Sequence, residues 1–285
     1  MRRIALTAAL ALLLLPAPAL AWTNEGHQIV ARLAYEQLTP KAKAAYDALM
    51  KAAPGQATPS CPAATPEDVG VWADCVRPLK ERFDYLAPFH YEHRALCEKP
   101  DPKLTCADGK CVTAEVPRAE TVLKDKARPA TERLLALEEL VHFIADLHQP
   151  LHTADHVDDG GWFVAVEGKV EGQALSKNLH LVWDDDVVRS ALGADPAKAD
   201  DQLRPLMRAK AKAWSGGEVE DWVSESFDLA RTYAYGQLPA PPACGKVAGK
   251  QALPESYLKG AAPIVRERLV KASLRLAKVL NRDLG

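Results

Sequence analysis

The sequence lacks any Cys-x-x-Cys pair, although it contains six cysteines. This absence argues against a zinc site built from cysteine thiolates, because such sites use closely spaced cysteine pairs. Oxidised pairs are the better interpretation, so we expect three disulfides, whose connectivity the spacing alone does not decide. Disulfides form in exported proteins and are rare in the cytosol. The cysteine usage therefore predicts a periplasmic or extracellular protein.

The chain also lacks an excess of positive charge. It has 36 lysines and arginines against 38 aspartates and glutamates, for a formal net charge of -2. A protein that grips nucleic acid through a broad basic surface needs a positive surplus, so this class of binding is disfavoured. Phosphate binding through metal ions is still possible, because a count of side chains omits the charge of bound ions.

The apolar run at the N-terminus is too short to span a bilayer comfortably. It follows two arginines and ends at Ala19, Leu20 and Ala21, which form a small-residue cleavage site. We therefore expect residues 1–21 to be a removed signal peptide and residues 22–285 to be the mature domain. An uncleaved membrane anchor is the alternative, and the prolines near the end of the run disfavour it. After processing we expect no membrane anchor.

No internal repeat and no interdomain linker divide the rest of the chain. We therefore expect one domain, long enough for a substantial core. Apolar residues recur at helical spacing along most of it. The predicted helices span about 26–38, 40–53, 66–77, 114–127, 130–148, 183–192, 197–214, 218–235 and 255–281. The alternation of Trp162, Val164 and Val166 predicts a small β-hairpin, so the expected fold class is all-α with one hairpin.

Histidines and carboxylates are concentrated between His142 and Asp184. His142 and Asp146 are four residues apart in a helical pattern, and His180 and Asp184 repeat this spacing. Side chains at this spacing project from one helix face and can share a metal ion. His152 follows a proline that ends the helix, so the chain can turn back and bring another imidazole to the same place.

Each of these pairs has a plainer interpretation, since a buried histidine is often hydrogen-bonded in a core and a histidine-aspartate pair is often a surface contact. Two such pairs in one short stretch, in a chain with only eight histidines, favour a metal site. Imidazole and carboxylate ligands suit zinc, whereas calcium and magnesium prefer sites made only of oxygen ligands.

Five motifs occur in a fixed order along the chain. They are WTNEGH at 22–27, WADCVR at 72–77, PFHY at 88–91, HFIAD with QPLH at 142–152, and NLHLVWD at 178–184. Together they resemble the zinc-dependent single-strand-specific nucleases, the family of the secreted fungal nucleases and the plant bifunctional nucleases. The resemblance covers essentially the whole mature chain and implies a mainly helical fold with three zinc ions.

The resemblance also implies which residues hold the three zinc ions. The first ion would be bound by Asp74, His90, His142 and Asp146. The second would be bound by the terminal amine and the carbonyl oxygen of Trp22, by His27, and by Asp146 as a bridging ligand. The third would be bound by His152, His180 and Asp184, which leaves positions open for water or substrate.

The implied activity is hydrolysis of phosphodiester bonds in single-stranded RNA and DNA to 5′-phosphate products, with 3′-nucleotidase activity on 3′-nucleotides. Asp74, Asp146 and Arg77 are the expected catalytic residues. Arg77 lies three residues after Asp74 and would bind a phosphate oxygen. The alternative for Arg77 is an ion pair with a neighbouring carboxylate. No obligate protein partner is expected.

Three further residues are expected to contact the substrate. Tyr91 matches an aromatic residue of the family that stacks on a base, although a tyrosine at the edge of the core is the alternative. His93 occupies a base-reading position at which the family usually has aspartate, so base preference does not carry over. Asn178 would orient a ligand or touch substrate, or it would cap the following helix. Trp162 replaces an asparagine of the family pattern.

The family resemblance also has implications for the two remaining histidines and for the cysteines. His148 and His156 match no ligand position, and we expect them behind the ligands or on the surface. The family pattern implies disulfides between Cys97 and Cys244 and between Cys106 and Cys111, and it leaves Cys61 and Cys75 to form an additional one.

Two rival functions stay open at this point. The first is a zinc-dependent phospholipase C, which has a similar site but commonly has glutamate as its last ligand, where this chain has Asp184. The second is a non-catalytic exported zinc-binding protein, which needs neither open coordination positions nor Arg77 and Tyr91 beside them.

Overall fold

The computed structural model describes residues 22–96, 106, 109–193, 195–241, 247 and 249–285. The predicted signal peptide, residues 1–21, lies outside these ranges, and so does the predicted disulfide between Cys97 and Cys244. The predicted disulfides Cys61–Cys75 and Cys106–Cys111 are both present and are confirmed.

Helices account for most of the described chain, so the prediction of a mainly helical single domain is confirmed. The first of them are α1 (Asn24–Glu36), α2 (Pro40–Met50), α3 (Pro66–Cys75), α4 (Lys80–Phe83), α5 (Val112–Lys124) and α6 (Ala130–Asp146). The later ones are α7 (Leu179–Leu181), α8 (Val187–Leu192), α9 (Pro196–Trp214), α10 (Val219–Leu229) and α11 (Glu255–Leu284). Short 3₁₀ segments span Ala53–Gln56, Asp84–His90 and Pro150–His152. Two π-helical segments, Val182–Asp186 and Ala230–Ala234, follow α7 and α10.

Short strands form three separate pairs among the described residues. The strands are β1 (Arg94–Ala95), β2 (Ala154–Asp155), β3 (Val166–Glu167), β4 (Lys169–Val170), β5 (Gln173–Ala174) and β6 (Gln251–Ala252). Strand β1 pairs in parallel with β2, β3 pairs in parallel with β6, and β4 and β5 form an antiparallel hairpin.

The predicted hairpin exists, but its predicted position was wrong. The alternation around Val164 and Val166 does bury these two side chains, yet Val166 pairs with distant Gln251 instead of folding back on its own segment. The turn forms later, where Glu171 and Gly172 have φ values of 50° and 82°. Positive φ at both central residues gives the turn type that fits a two-residue hairpin loop.

The core lies where α1, α3, α6 and α11 pack together. Every residue of α6 from Ala136 to Asp146 is buried, so this helix runs through the interior with no solvent-facing side over that length. Helix α3 begins at a capping box, in which Thr65 and Asp68 each bond to the other's backbone, and Pro66 occupies its first turn. No helix in the described ranges is long and apolar enough to cross a membrane.

Candidate metal centre

Helices α1, α3 and α6 approach closely because α3 has a glycine at their crossing point. A Cβ atom on Gly70 would lie 2.8 Å from Cβ of Ala31 and 3.0 Å from the carbonyl oxygen of His27. The carbonyl oxygen of Gly70 accepts a hydrogen bond of 2.8 Å from Nδ1 of His142. The glycine therefore brings the backbone of α3 against α6 and fixes the orientation of the His142 ring.

The first cluster of polar side chains surrounds the buried carboxylate of Asp146, at the end of α6. Oδ1 of Asp146 lies 3.2 Å from Nε2 of His27. Oδ2 lies 2.9 Å from Nδ1 of His90 and 3.4 Å from Nε2 of His142. Asp74 completes the cluster, with its Oδ2 3.7 Å from Nε2 of His142. Separations of this size allow the groups to ligate common ions.

The second cluster consists of His152, His180 and Asp184. The 3₁₀ segment that begins at Pro150 turns the chain and carries His152 to within 3.2 Å of His180, measured between their Nε2 atoms. Nε2 of His180 is 3.5 Å from Oδ2 of Asp184. All three side chains are buried, and their potential ligand atoms lie within 4.8 Å of one another.

Backbone carbonyls fix the tautomers of three of these histidines. In each case Nδ1 donates a hydrogen bond to a backbone carbonyl oxygen. His142 donates to Gly70 at 2.8 Å, His152 to His90 at 2.9 Å, and His180 to Gly160 at 2.7 Å. A carbonyl oxygen can only accept, so the proton is on Nδ1 and the lone pair of Nε2 faces the cluster. Metal-binding histidines are usually oriented in this way.

Several buried polar atoms in these clusters have no hydrogen-bond partner. They are Nδ1 and Nε2 of His27, Nε2 of His90, and one carboxylate oxygen each of Asp74, Asp146 and Asp184. Unpartnered buried acceptors and charges are costly, and native proteins rarely keep them without a metal or another function. The residues present therefore fit metal ions with nitrogen and oxygen ligands.

The pKa shifts of the buried histidines and aspartates also fit clusters that bind metal ions. Burial lowers the pKa of His27 and of His180 to about 4, so both imidazoles are neutral at pH 7 and can act as ligands. Burial raises the pKa of Asp146 and of Asp184 well above the usual range of a carboxyl group. Cations in the clusters would reverse the shift of the carboxylates by favouring their charged form.

Trp22 and Thr23 contact residues at both clusters. Its side chain is fully buried, and Nε1 donates a hydrogen bond of 3.0 Å to the carbonyl oxygen of Ala145, next to Asp146. The amide of Thr23 donates to the carbonyl oxygen of Asp184 at 3.1 Å. The first contact joins the Trp22 side chain to the residue before Asp146, and the second joins the next residue, Thr23, to Asp184.

Arg77 and Tyr91 border the clusters. Arg77 donates a hydrogen bond of 3.2 Å from NH1 to Oδ1 of Asp74, and 21% of its side chain is exposed. The ion pair considered for Arg77 is thus present, in a position that solvent reaches. The ring of Tyr91 lies 4.6 Å from that of His152 and 6.2 Å from that of His180, between ring centres. Tyr91 therefore adjoins the second cluster.

The other two predicted substrate residues, His93 and Asn178, also lie near the second cluster, and the ring of His93 is 5.1 Å from that of Tyr91. His93 is partly exposed, with Nδ1 3.8 Å from Oδ1 of Asp159. Asn178 is the N-cap of α7, and its Oδ1 accepts a hydrogen bond of 2.9 Å from the amide of Leu181. Its observed contact is therefore the helix cap, which orients the helix that carries His180.

His148 and His156 are both buried, so the option of a surface position was wrong for both. Nδ1 of His148 donates to the carbonyl oxygen of Ile144 at 2.7 Å, and Nε2 accepts from Arg275 at 2.9 Å. The His156 ring lies 5.6 Å from that of Tyr235. The grouped ligand atoms of the two clusters include neither residue.

One positioning residue, Gln149, was not assigned a role from the sequence. Its Nε2 donates a hydrogen bond of 2.7 Å to Oδ1 of Asp184, and its Oε1 accepts one of 2.5 Å from the amide of Leu151. The only sequence signal was its place in the QPLH motif at 149–152. Its contacts show that it connects the turn carrying His152 to the carboxylate of the same cluster.

The fold and the site define a mainly helical protein with buried clusters of histidine and aspartate that can bind metal ions. The chain belongs to the S1/P1 nuclease family, whose model matches residues 22–285. The family is zinc-dependent, and its substrates are nucleic acids.

Individual relatives agree with this assignment. Endonuclease 2 of Arabidopsis thaliana is 27% identical over 279 residues, which cover 93% of this chain and 91% of the relative. Endonuclease 4 of the same plant is 28% identical, with 93% and 89% covered. Nuclease S1 of Aspergillus oryzae is 22% identical, with 91% of each chain covered.

Proposed function

We propose that this chain is a zinc-dependent endonuclease that hydrolyses phosphodiester bonds of single-stranded RNA and DNA and leaves 5′-phosphate ends. The observation that carries the proposal is the position of Asp146, whose two carboxylate oxygens face His27 on one side and His90 and His142 on the other. A carboxylate in this position can bridge two metal ions, an arrangement typical of enzymes that cleave phosphate esters.

The full ligand set of the proposal comprises three zinc ions. Asp74, His90, His142 and Asp146 would hold the first ion; Trp22, His27 and Asp146 the second; and His152, His180 and Asp184 the third. The clusters and the unpartnered atoms described above support these sets. When bound, zinc supplies Lewis acidity toward phosphate oxygens and lowers the pKa of water to roughly 7.

The protein's own side chains orient the substrate. Arg77 lies beside Asp74 with its side chain partly exposed, so it can donate to a phosphate oxygen at the edge of the first cluster. Tyr91 adjoins the second cluster and offers a ring on which a base can stack. A single strand can present a phosphate to the buried clusters while its base lies against Tyr91. A duplex hides its bases in the stack, which accounts for the proposed preference.

The same site would act on 3′-nucleotides, because these also offer a phosphate and one base.

We further propose that residues 1–21 are removed on export and that the mature protein, residues 22–285, acts in the periplasm or the medium. The disulfides Cys61–Cys75 and Cys106–Cys111 support an oxidising compartment. Removal of residues 1–21 would also provide the free amine of Trp22.

Neither rival function is favoured. The family and the relatives are nucleases, and the last ligand position is Asp184 instead of the glutamate common in phospholipases C. A non-catalytic zinc-binding protein would not require Arg77 and Tyr91 at the edge of the clusters.

The test is to incubate the mature, zinc-loaded protein separately with single-stranded RNA, single-stranded DNA, duplex DNA and phosphatidylcholine. We expect cleavage of both single strands to 5′-phosphate products, with much slower cleavage of the duplex. Turnover of the lipid without cleavage of either single strand would establish the phospholipase instead. Full zinc occupancy without hydrolysis of any substrate would favour the zinc-binding protein.

A further inference from the structure

Two large apolar side chains are exposed on the loop that follows His156. Phe163 is 74% exposed and Val157 is 65% exposed. Among the described residues, the other large hydrophobic side chain with high exposure is Tyr85, at 48%. Exposed apolar groups close together are uncommon unless they contact a ligand or a partner. Folding alone does not explain why the loop of residues 157–163 exposes these two apolar side chains.

The backbone of this loop is strained. Val157 has a φ of 62° and Asp159 a φ of 58°, and Gly160 and Gly161 are also in the positive region. A β-branched residue rarely adopts positive φ, because its side chain collides with its own backbone. Such strain persists where the surrounding structure enforces it, often beside a functional site. In this conformation the side chain of Val157 is 65% exposed.

The loop is joined by hydrogen bonds to His180 of the second cluster. The carbonyl oxygen of Gly160 accepts the Nδ1 hydrogen bond of His180 at 2.7 Å, and the amide of His180 donates to Gly161 at 3.3 Å. The ring of Trp162 lies 5.4 Å from the ring of His180, edge on. Phe163 is the next residue, and its amide donates to the carbonyl oxygen of Asp158 at 2.9 Å. Phe163 is thus fixed one residue away from a ring that touches the cluster.

The charge of the loop decides which part of a nucleic acid can approach it. The carboxylate of Asp159 is 60% exposed on the same loop. A carboxylate repels a phosphate, but it does not repel an uncharged base. The loop can therefore receive a base more readily than the sugar-phosphate backbone, and the ring of Phe163 provides a surface for stacking.

We propose that Phe163, with Val157 on the same loop, stacks on a nucleobase that flanks the scissile phosphate, in addition to the base that lies against Tyr91. This inference rests on the proposed nuclease function. It assigns Phe163 to the recognition of a strand of two or more nucleotides, since a mononucleotide has only one base. Phe163 thereby favours polynucleotides over mononucleotides.

The first test compares Phe163→Ala with the unmodified zinc-loaded protein on a single-stranded octanucleotide and on a 3′-mononucleotide. We expect KM for the octanucleotide to rise by about 5- to 150-fold, the effect of losing one stacked base, with little change in kcat. Hydrolysis of the mononucleotide should not change. Phe163→Trp should restore the KM for the octanucleotide, because an indole ring also stacks.

The second test measures stacking directly. An octanucleotide that carries 2-aminopurine is mixed rapidly with the protein, and its fluorescence is recorded before product forms. Stacking quenches this fluorescence, so we expect less quenching with Phe163→Ala and full quenching with Phe163→Trp. Tyr85→Ala is the matched control, because Tyr85 is an exposed aromatic residue near Glu139 and not on the loop. It should behave like the unmodified protein.

The outcomes separate this inference from the function on which it rests. An unmodified protein that cleaves the octanucleotide, together with Phe163→Ala equal to it in KM and in quenching, would overturn the role of Phe163 alone. Equal losses on the octanucleotide and the mononucleotide would also overturn it, since they would indicate a disturbed cluster. Failure of the unmodified protein to cleave any nucleic acid would overturn the proposed function instead. Binding to phosphatidylcholine vesicles that only Phe163→Ala abolishes, with unchanged octanucleotide KM, would make the loop a membrane contact.

Discussion

Nε2 of His27 lies 3.2 Å from Oδ1 of Asp146, on the side of the carboxylate that has no other partner. Oδ2 of the same carboxylate faces His90 and His142. The Asp146 side chain at the end of α6 thus connects His27 of α1 with His142 of α6 and with His90, the last residue of the 3₁₀ segment Asp84–His90. Loss of this carboxylate should affect two metal positions together.

Asp146→Asn tests this relationship, because the amide keeps the size of the side chain and removes its charge. We expect the variant to lose two of the three proposed zinc ions and to lower kcat/KM on single-stranded DNA by more than ~100-fold. Zinc stoichiometry of the purified protein is the measurement. Asp185→Asn is the control, since Asp185 is 39% exposed and pairs with Arg189. Retention of the full zinc complement by Asp146→Asn would show that the carboxylate is not a bridge.

The second prediction concerns the amino group of Trp22. A variant with one extra residue before Trp22 has an amide in place of the terminal amine, and an amide nitrogen is a poor metal ligand. We expect the variant to bind one zinc ion fewer and to lose most of its activity. One extra residue after Gly285 is the control, and equal zinc content in the two variants would contradict the role of the amine.

The sequence predicted those features that depend on local spacing. His142 and Asp146 are one helical turn apart, and in the structure Nε2 of His142 lies 3.4 Å from Oδ2 of Asp146. The proline after Gln149 predicted the turn that brings His152 toward His180. Helical periodicity likewise predicted the mainly helical fold. These patterns repeat within a few residues, and backbone geometry alone converts them into a common face.

Features that depend on distant contacts could not be predicted in this way. The bond from His142 to Gly70 joins residues 72 positions apart, and only packing of α3 against α6 creates it. For the same reason the hairpin lies later in the chain than predicted, since Val166 pairs with Gln251, which is distant in the sequence. His148 was expected behind the ligands or on the surface; it is buried and accepts a hydrogen bond from Arg275 of α11, which is 127 positions away.

The third prediction uses a buried carboxyl group that the proposed mechanism does not use. Burial raises the pKa of Glu139 to about 8 from 4.5; repulsion from Glu115 adds to the shift and the charge of Arg118 opposes it. The folded state therefore binds this proton more tightly than the unfolded state between these two values. Stability from this group is fully present below pH 4.5 and is lost as pH rises toward 8, with a slope of at most ~1.4 kcal/mol per pH unit.

Glu139→Gln mimics the protonated form, so its free energy of unfolding should change less between about pH 6 and about pH 8.5 than that of the unmodified protein. Urea unfolding monitored by tryptophan fluorescence gives this comparison. Glu132→Gln is the control on the same helix, because Glu132 is 50% exposed and pairs with Arg128. Parallel pH curves for Glu139→Gln and the unmodified protein would show that Glu139 does not take up a proton on folding.

The last prediction concerns Gln149, which is fully buried and holds Asp184 by a hydrogen bond of 2.7 Å. Gln149→Leu keeps a similar volume but removes this bond and the one from the amide of Leu151. Loss of a residue that orients a metal ligand typically weakens metal binding ~10- to 100-fold, and we expect this loss at the cluster of His152, His180 and Asp184. The first cluster should keep its affinity, because the substitution removes only the side-chain bonds to Asp184 and Leu151 and leaves the backbone bond of 2.8 Å from the amide of Gln149 to the carbonyl oxygen of Asp146.

Competition with a chelator of known affinity measures this difference, because the weakened ion leaves at a lower chelator concentration than the others. Gln173→Leu is the matched control, since Gln173 is exposed on β5. An equal loss from all metal positions would mean that Gln149 stabilises the fold in general. Unchanged affinity at every position would mean that the turn after Pro150 orients the second cluster without its help. Selective loss of one ion from Gln149→Leu would instead identify Gln149 as the residue that positions Asp184.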